Sequence, residues 1–369
     1  MKAILKQAAG LVAGIAAIYG LLLVISLVLF PMHRQSGGLD SSLAGATLFE
    51  TEPKYVFLNR ASLRDDKERL ILLGASNVVT GFHVSELQPL LPDLEVDNLG
   101  ISGANLTEMR QAYDLIRAAQ SPSGPKHTTY AIGIWYGVFQ PDGLKWNTPD
   151  RHGGETDLDI ERYRYGFFRR SAAGPVQVLP TEDLELGLVL IHPYLTIDRL
   201  ARDATDLFRA KFLKMKPEKT VAERNASVVT PEKQAQLFAY WHDQFQGATA
   251  VPPEQFAVLS NMVTRMLADG NRVVVVDLPL PSWHSQHSAL NDSYKQLRDG
   301  WLQQMNGKQD FAYLDLQDAF PDDEFVDEVH PKPRTTAEWS KRLAAAVADE
   351  IAKAGASSAG LNNPTGATP

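Results

Sequence analysis

The sequence predicts an α/β fold in which a parallel sheet is flanked by helices, preceded by one N-terminal membrane-spanning helix. Two observations support this prediction. Short apolar segments alternate with helical patterns along most of the chain, which is typical of parallel sheets with helices on both faces. A long uncharged apolar run occupies the N-terminus. The 369 residues are enough for one large domain or two modest ones with a substantial core.

The N-terminal apolar run, residues 8–32, contains no charged side chain. As a helix it exceeds the roughly 30 Å hydrocarbon core of a bilayer, so it predicts a membrane span. Residues 1–34 are therefore expected to form a cytoplasmic tip and a single-pass anchor in the inner membrane, because a very short tail favours a cytoplasmic N-terminus. The rest of the chain would lie in the periplasm or outside the cell. A cleaved signal peptide is the alternative, since residues 42–46 are small enough for cleavage.

Three further segments follow the anchor. The small, polar stretch at 35–47 predicts a linker. The folded domain is expected at 48–355, with an insertion at about 140–253 where the alternation of strands and helices loosens. The tail at 356–369 is small, polar and contains Pro and Gly, so it is expected to be disordered.

Within the domain, five apolar runs predict strands and three amphipathic stretches predict helices. The expected strands are 70–73, 94–99, 130–135, 272–278 and 311–316. The expected helices are 107–120, 256–270 and 336–355. The insertion contains an arginine-rich, aromatic segment at 161–170, which predicts either a site for an anionic or sugar ligand or a solvated face with cation–π packing.

Charge and cysteine content exclude several function classes. Lysine and arginine number 36 against 44 acidic residues, for a net charge of −8 and no long basic run. Nucleic acid is therefore not an expected partner. The chain has no cysteine, which excludes disulfides, a thiolate nucleophile and a cysteine-ligated metal without fixing the compartment.

Ser76 follows the first strand pattern, in the sequence Gly74-Ala75-Ser76-Asn77. A serine at the carboxyl end of a strand faces the crevice in which open α/β sheets bind ligands, so Ser76 is a candidate nucleophile. The alternative is that Ser76 caps the next helix.

Two other segments hold residues suited to chemistry. Gly100 and Gly103 follow the second strand pattern and let backbone N–H groups approach a ligand closely, as an oxyanion requires; a tight turn is the alternative. Asp327 lies three residues before His330. One turn can hold both, so the carboxylate can orient the imidazole as a base for Ser76, although solvated loop charges would give the same spacing.

His284 and His287 lie three residues apart after the fourth strand pattern. That spacing could seat a metal ion on one helical turn, but no acidic or cysteine ligand lies close in the sequence. A loop that lines the mouth of the site is the favoured interpretation, and no metal is expected.

Together these segments resemble the SGNH (GDSL-like) hydrolase superfamily. The matching blocks are Gly74-Ala75-Ser76-Asn77, Asn98-x-Gly100-x-x-Gly103 and Asp327-x-x-His330-Pro331. The resemblance covers roughly residues 69–355 and implies a three-layer α/β/α sandwich with a flavodoxin-like parallel sheet. It also implies that Ser76 is the nucleophile, His330 the general base and Asp327 its orienting partner.

The resemblance further implies an oxyanion hole built from the backbone N–H groups of Ser76 and Gly103. The superfamily's third block, usually Gly-x-Asn-Asp, departs from the pattern here, because Trp135 stands near the place of the asparagine. Tyr136 is the candidate replacement donor, with core packing as the alternative. The candidate substrate contacts are Asn77, Asn98, Trp135 and His284.

The layout is similar to that of membrane-anchored members such as D-alanyl transfer proteins and alginate O-acetyltransferase-like proteins. This similarity implies a serine esterase or O-acyltransferase that acts on acyl esters of a surface polysaccharide. It implies no cofactor, and an integral-membrane acyl donor protein as a possible partner. A non-catalytic carbohydrate-binding or scaffold component of an exopolysaccharide system is the alternative, which the missing asparagine favours and the retained Ser, Asp and His oppose.

Overall fold

The computed structural model describes residues 1–31, 38–64, 67–120, 128–149, 151–178, 184–214 and 219–361, without the side chains of 184–185 and 354–361. It has an α/β fold with a five-stranded parallel sheet and surrounding helices. One long apolar helix stands at the N-terminus. The predicted fold class is therefore confirmed at the level of a parallel α/β sheet with an N-terminal apolar helix.

The central sheet is formed by five strands in the order β2-β1-β3-β6-β7. Their bounds are β1 Arg69–Leu73, β2 Glu95–Asn98, β3 Thr129–Ile134, β6 Arg272–Asp277 and β7 Phe311–Asp315. A separate antiparallel hairpin pairs β4 Phe168–Ser171 with β5 Gly174–Gln177. All five predicted strands are present, and the three central ones, β1, β3 and β6, are buried along their whole length, as their apolar runs predict.

The helices follow and separate these strands. Their bounds are α1 Lys2–Leu29, α2 Glu52–Asn59, α3 Ser76–Gly81, α4 Val84–Leu87, α5 Leu106–Ala119, α6 Asp142–Lys145, α7 Asp157–Arg164, α8 Leu184–Phe212, α9 Val221–Asn225, α10 Pro231–Gln244, α11 Pro253–Ala268, α12 Ser282–Ser285, α13 Ala289–Met305 and α14 Thr336–Leu361. The predicted helices correspond to α5, α11 and α14.

The N-terminal helix α1 is long and apolar enough to cross a membrane. Most of its side chains are exposed in the isolated chain. A signal sequence passes the same test of length and composition, so this helix fits both a membrane span and a signal peptide. Residues 32–34 of the predicted anchor lie outside the described residues.

The second part of the predicted linker at 35–47 belongs to the folded domain instead. The Leu39 N–H donates to the Asp97 carboxylate at 2.7 Å, and the Leu39 carbonyl accepts from the Asn98 N–H at 2.7 Å. A short 3-10 helix, Ser41–Ala46, follows. These bonds form because the buried Asp97 carboxylate, held by Arg69 at 2.6 Å, needs further donors. Residues 35–37 lie outside the described residues.

The predicted disordered tail at 356–369 also needs correction. Helix α14 continues to Leu361, six residues into that segment, and residues 362–369 lie outside the described residues. The second half of α14 is rich in alanine, the best helix former, which offsets the cost of its glycines.

The predicted insertion lies between the neighbouring strands β3 and β6 and contributes α6 to α10 and the β4–β5 hairpin. In its arginine-rich segment, Arg162 pairs with Asp159, Arg164 with Glu161 and Arg170 with Glu155. Arg170 also lies 4.5 Å from the centre of the Tyr163 ring. These pairings favour a structural face over a ligand site, because three of the four arginines in the segment already have carboxylate partners.

Two glycines let α3 approach the sheet closely. A Cβ atom at Gly74 would lie 2.2 Å from Val78 Cγ2, and one at Gly133 would lie 2.3 Å from the same atom. Real Cβ atoms do not come this close to another carbon, so both positions require glycine. Val78 therefore fills the space above β1 and β3, and this contact sets the start of α3 at the carboxyl edge of the sheet.

Candidate functional site

Ser76 lies at the carboxyl edge of the sheet, in the first turn of α3. Strand β1 ends at Leu73, and Gly74 and Ala75 lead directly into the helix. The N-cap residue is Ala75, whose side chain cannot accept a hydrogen bond. The Ser76 hydroxyl is instead hydrogen-bonded to His330. The alternative in which Ser76 only caps this helix is therefore wrong.

Asp327 and His330 lie in a tight loop just before α14. Phe325 and Pro331 pair across the base of the loop, and the Val326 N–H donates to the His330 carbonyl at 2.9 Å. This closed loop holds both functional side chains on one turn. The short spacing of the sequence motif thus corresponds to a local structure that brings the carboxylate to the imidazole.

The three candidate catalytic side chains form one chain of hydrogen bonds. His330 Nδ1 lies 2.8 Å from Asp327 Oδ2, and His330 Nε2 lies 2.8 Å from Ser76 Oγ. A carboxylate only accepts, so the Nδ1–H donates to Asp327 and the Nε2 of the neutral ring accepts from the Ser76 hydroxyl. His330 is thereby set up to remove the Ser76 proton.

The loop also fixes the Asp327 carboxylate. Its Oδ1 accepts from the N–H groups of Val329 at 3.0 Å and His330 at 2.9 Å. Burial acts to raise the pKa of Asp327, but the His330 ring and these N–H groups together lower it below its ordinary value. Asp327 is therefore ionised over the working range of a histidine base.

The same pair raises the pKa of His330. Burial acts to lower this pKa, but the hydrogen bond and the charge of Asp327 outweigh it, with a smaller contribution from Glu328. The Arg224 guanidinium acts in the opposite direction. The net effect is a pKa above the ordinary histidine value, which strengthens His330 as a base and makes its neutral form dominant only at higher pH.

Gly103 lies on an exposed loop beside the Ser76 turn. The Ile101 N–H donates to the Gly74 carbonyl at 3.0 Å, which ties this loop to the end of β1. Gly103 has φ of +72°, a left-handed conformation that favours glycine. The loop predicted to supply an oxyanion N–H is thus held next to the serine turn by a backbone hydrogen bond.

Neither comparison of this sequence, with protein-family models or with curated proteins, gives a match. The interpretation of the site therefore depends on its geometry and chemistry.

Asn98 was predicted to contact substrate, but it is fully buried. Its side-chain NH₂ donates to the carbonyls of Val78 at 3.1 Å and Phe82 at 2.6 Å, and its Oδ1 accepts from the Gly100 N–H at 3.0 Å. Asn98 therefore links α3 to the loop that holds Gly100 and Gly103, the glycine loop, and positions the two relative to each other. Asn77 is also fully buried, and its Oδ1 accepts from the N–H of the next residue. Neither asparagine is accessible to a substrate.

The other two predicted substrate contacts, Trp135 and His284, are buried as well. The His284 Nδ1–H donates to the Glu328 carbonyl at 3.0 Å, so its Nε2 accepts the Tyr136 hydroxyl proton. Burial lowers the pKa of His284 to about 4, which keeps the ring neutral at neutral pH. Because both ring nitrogens are occupied, His284 is neither a lining residue of the mouth nor a free metal ligand. Among the described residues no cluster suited to a metal is found.

The Tyr136 hydroxyl is fully buried and its proton is committed to His284. A hydroxyl donates one hydrogen bond, so Tyr136 is wrong as the replacement oxyanion donor in this arrangement. The core-packing alternative is confirmed, because the Tyr136 ring lies 4.9 Å from Trp135 and 5.9 Å from Trp241 of α10. Helix α10 of the insertion covers Trp135 and Tyr136, which explains why both side chains face the interior.

Three residues near the site were not anticipated from the sequence. Lys145 Nζ donates to the Gly103 carbonyl and to Glu108 at 3.3 Å, so it anchors the glycine loop. Glu328 accepts from Trp241 Nε1 at 3.1 Å and thereby ties the Asp327–His330 loop to α10. Arg224 of α9 lies near enough to His330 for its charge to lower the pKa of that ring. The sequence could have indicated Glu328, because it stands beside Asp327. It contained no signal for Lys145 and Arg224, because both belong to the insertion.

Proposed function

We propose that this protein is an SGNH-type serine esterase or O-acyltransferase, anchored in a membrane, that acts on acyl esters of a cell-surface polysaccharide. The observation that carries the proposal is the hydrogen-bond chain from Asp327 through His330 to Ser76 at the carboxyl edge of a parallel sheet. In this proposal the sheet is the middle layer of a three-layer α/β/α sandwich, and α1 is the single-pass anchor that holds the domain in the periplasm.

The proposed reaction has two acyl transfers. Ser76 Oγ attacks the carbonyl carbon of the ester while His330 Nε2 takes the hydroxyl proton. The tetrahedral intermediate then loses the alcohol, which receives that proton from His330, and the acyl group stays on Ser76. Water or a sugar hydroxyl next attacks the acyl carbon while His330 takes its proton. The bond from Ser76 Oγ to the acyl carbon then breaks, and His330 returns the proton to Ser76 Oγ, which restores the serine.

Two backbone N–H groups, of Ser76 and Gly103, are the proposed oxyanion donors. The side-chain donor that the superfamily places in its third block has no counterpart here, since Trp135 and Tyr136 are buried. Loss of one such donor costs about 10²–10³ in rate, so we expect slow turnover. This feature also supports the second candidate function, a non-catalytic glycan-binding or scaffold component.

The buried position of Tyr136 gives a specific prediction. Tyr136→Phe removes the hydroxyl that donates to His284 Nε2 and leaves this buried nitrogen without a partner, so we expect the free energy of unfolding to fall by about 1–3 kcal/mol. Ester turnover by the folded variant should change less than about tenfold, whereas loss of an oxyanion donor would cost about 10²–10³. Urea denaturation and turnover of p-nitrophenyl acetate measure the two effects. A variant of unchanged stability with turnover reduced a hundredfold would restore Tyr136 as a donor.

The test of the proposed function uses the full chain in detergent micelles with p-nitrophenyl acetate, with and without an oligosaccharide acceptor. We expect release of p-nitrophenol and an acetyl group on Ser76 in mass spectra of the quenched protein. Acetylated oligosaccharide identifies a transferase, and free acetate in its presence identifies an esterase.

The controls are Ser76→Ala and Ser171→Ala, which changes an exposed serine of the β4–β5 hairpin. Ser171→Ala should behave as the parent protein does. If release of p-nitrophenol by the parent equals that by Ser76→Ala, no acyl-enzyme is found and oligosaccharide still binds, the enzyme proposal fails and the binding function replaces it.

A further inference from the structure

The first half of α8 carries an exposed apolar stripe. Leu186, Leu190, Tyr194 and Ile197 are 59%, 49%, 53% and 58% exposed. Their spacing of four, four and three residues places them on one face of the helix. Residues 186–197 include no Asp, Glu, Lys or Arg. An uncharged helical segment with a continuous exposed apolar face is unfavourable in water and indicates a surface that contacts lipid or protein.

The opposite side of this segment packs against α1. The Ser26 hydroxyl donates to the Leu23 carbonyl at 2.9 Å within α1, and His192 Nδ1 lies 3.0 Å from the Ser26 oxygen. The Tyr19 hydroxyl donates to the Leu190 carbonyl. Both Ser26 and His192 are buried by this contact. The first half of α8 therefore lies beside the part of α1 that runs from Tyr19 to Ser26.

The contact fixes the depth of α8 once α1 spans a bilayer. At about 1.5 Å per residue, Tyr19 and Ser26 lie about 17 and 27 Å along the helix from Ala8, where the apolar run begins. The hydrocarbon core is about 30 Å thick, so this part of α1 occupies the leaflet on the side of the folded domain. Residues 186–197 would extend about 18 Å as a helix, too short to cross and long enough for one leaflet.

Charged residues bound this uncharged segment on both sides, because Glu185 precedes Leu186 in α8 and Asp198 follows Ile197. Asp198 pairs with Lys54 at 2.9 Å, and Arg199 donates to the carbonyls of Gly45 at 3.1 Å and Thr47 at 2.7 Å. At its C-terminal end the uncharged segment is thus followed directly by charged side chains that bind the folded domain. Charged side chains are costly in the hydrocarbon region, so a lipid contact of this helix can include only residues 186–197.

We propose that residues 186–197 lie in the domain-side leaflet beside α1, with Leu186, Leu190, Tyr194 and Ile197 in contact with lipid. This rests on the proposed role of α1 as a membrane span. The folded domain is then attached to the bilayer at two places rather than by a free tether.

The test uses the absence of cysteine from the chain. Single variants Leu190→Cys and Ile197→Cys of the full chain are labelled with a nitroxide and reconstituted into vesicles of phosphatidylcholine and phosphatidylglycerol. Collisions with oxygen, which concentrates in lipid, and with a water-soluble nickel chelate are then measured. Val12→Cys on exposed α1 is the lipid control, and Lys341→Cys on exposed α14 is the aqueous control.

We expect the labels at 190 and 197 to collide more with oxygen than with nickel, as the label at 12 does, whereas the label at 341 shows the reverse. Nickel-dominated collisions at 190 and 197 with a lipid signal at 12 would overturn the proposal and leave the anchor intact. Labels at 190 and 197 shielded from both reagents would indicate a protein partner on the stripe, which also overturns it. An aqueous signal at 12 would remove the anchor and this proposal together.

Discussion

Ser76→Ala and His330→Ala should each lower acyl-ester turnover by about 10⁴–10⁶-fold. The Ser76 hydroxyl is the end of the hydrogen-bond chain, and His330 Nε2, 2.8 Å away, is the group positioned to take its proton. Because the two side chains act in one step, the double variant should be little slower than either single variant. Initial rates with p-nitrophenyl acetate, measured on each purified variant, give the comparison.

A stability measurement separates this loss from misfolding. Ala75 is the N-cap of α3, so Ser76→Ala removes no helix cap and should leave the free energy of unfolding nearly unchanged. A serine-directed fluorophosphonate should label the parent protein and fail to label Ser76→Ala. Turnover by Ser76→Ala within threefold of the parent rate, in a folded variant, would refute the nucleophile assignment.

The second large effect is expected for Asp327→Asn, with turnover at neutral pH lowered by about 10⁴-fold. The asparagine oxygen can still accept from the Val329 and His330 N–H groups, so the loop should keep its shape. Its NH₂ group, however, would face His330 Nδ1 and force the ring proton onto Nε2, opposite Ser76. The ring then has no lone pair for the Ser76 proton.

The pH dependence gives an independent check of the same pair. The neutral form of His330 is the active base, and Asp327 raises its pKa above the ordinary value, so activity should fall as pH drops through this raised pKa. In Asp327→Asn the stabilising charge is absent, so the rising limb of the residual activity should move to lower pH. Glu328→Gln is the matched control, because it removes the adjacent charge, which raises the pKa of His330 less than Asp327 does. An unshifted rising limb in Asp327→Asn would mean that another group is the base.

The arrangement of the sheet could be predicted from the sequence with little error. The buried strands β1, β3 and β6 are continuous apolar runs because neighbouring helices and strands cover them on both faces. The Asp327–His330 pair was equally predictable, since three residues of chain are enough to close the loop that joins them. Ser76 could be placed at a strand end because the glycine-containing turn before it stops β1.

The lining of the site could not be predicted in this way. Four residues that the resemblance or a strand end suggested for the site, Asn98, Trp135, Tyr136 and His284, all have buried side chains. The Tyr136–His284 hydrogen bond joins residues 148 positions apart. Whether such a pair faces a substrate or the core depends on where the insertion packs. A local pattern of residues does not predict this packing.

The sequence by itself determined the apolar N-terminal helix, the order of buried strands and helices, the place of Ser76 at a strand end and the short spacing of Asp327 and His330, because each depends on local periodicity or on nearby residues. The contact between Ser76 and His330, 254 positions apart, is tertiary. Only the tertiary structure decided that the segment at 38–46 joins the folded domain, that α10 buries Trp135 and Tyr136, and that α8 lies along α1. These features depend on contacts between distant parts of the chain, such as His192 with Ser26. The free energy of such contacts comes from shape and hydrogen-bond complementarity, which appear only once the chain has folded.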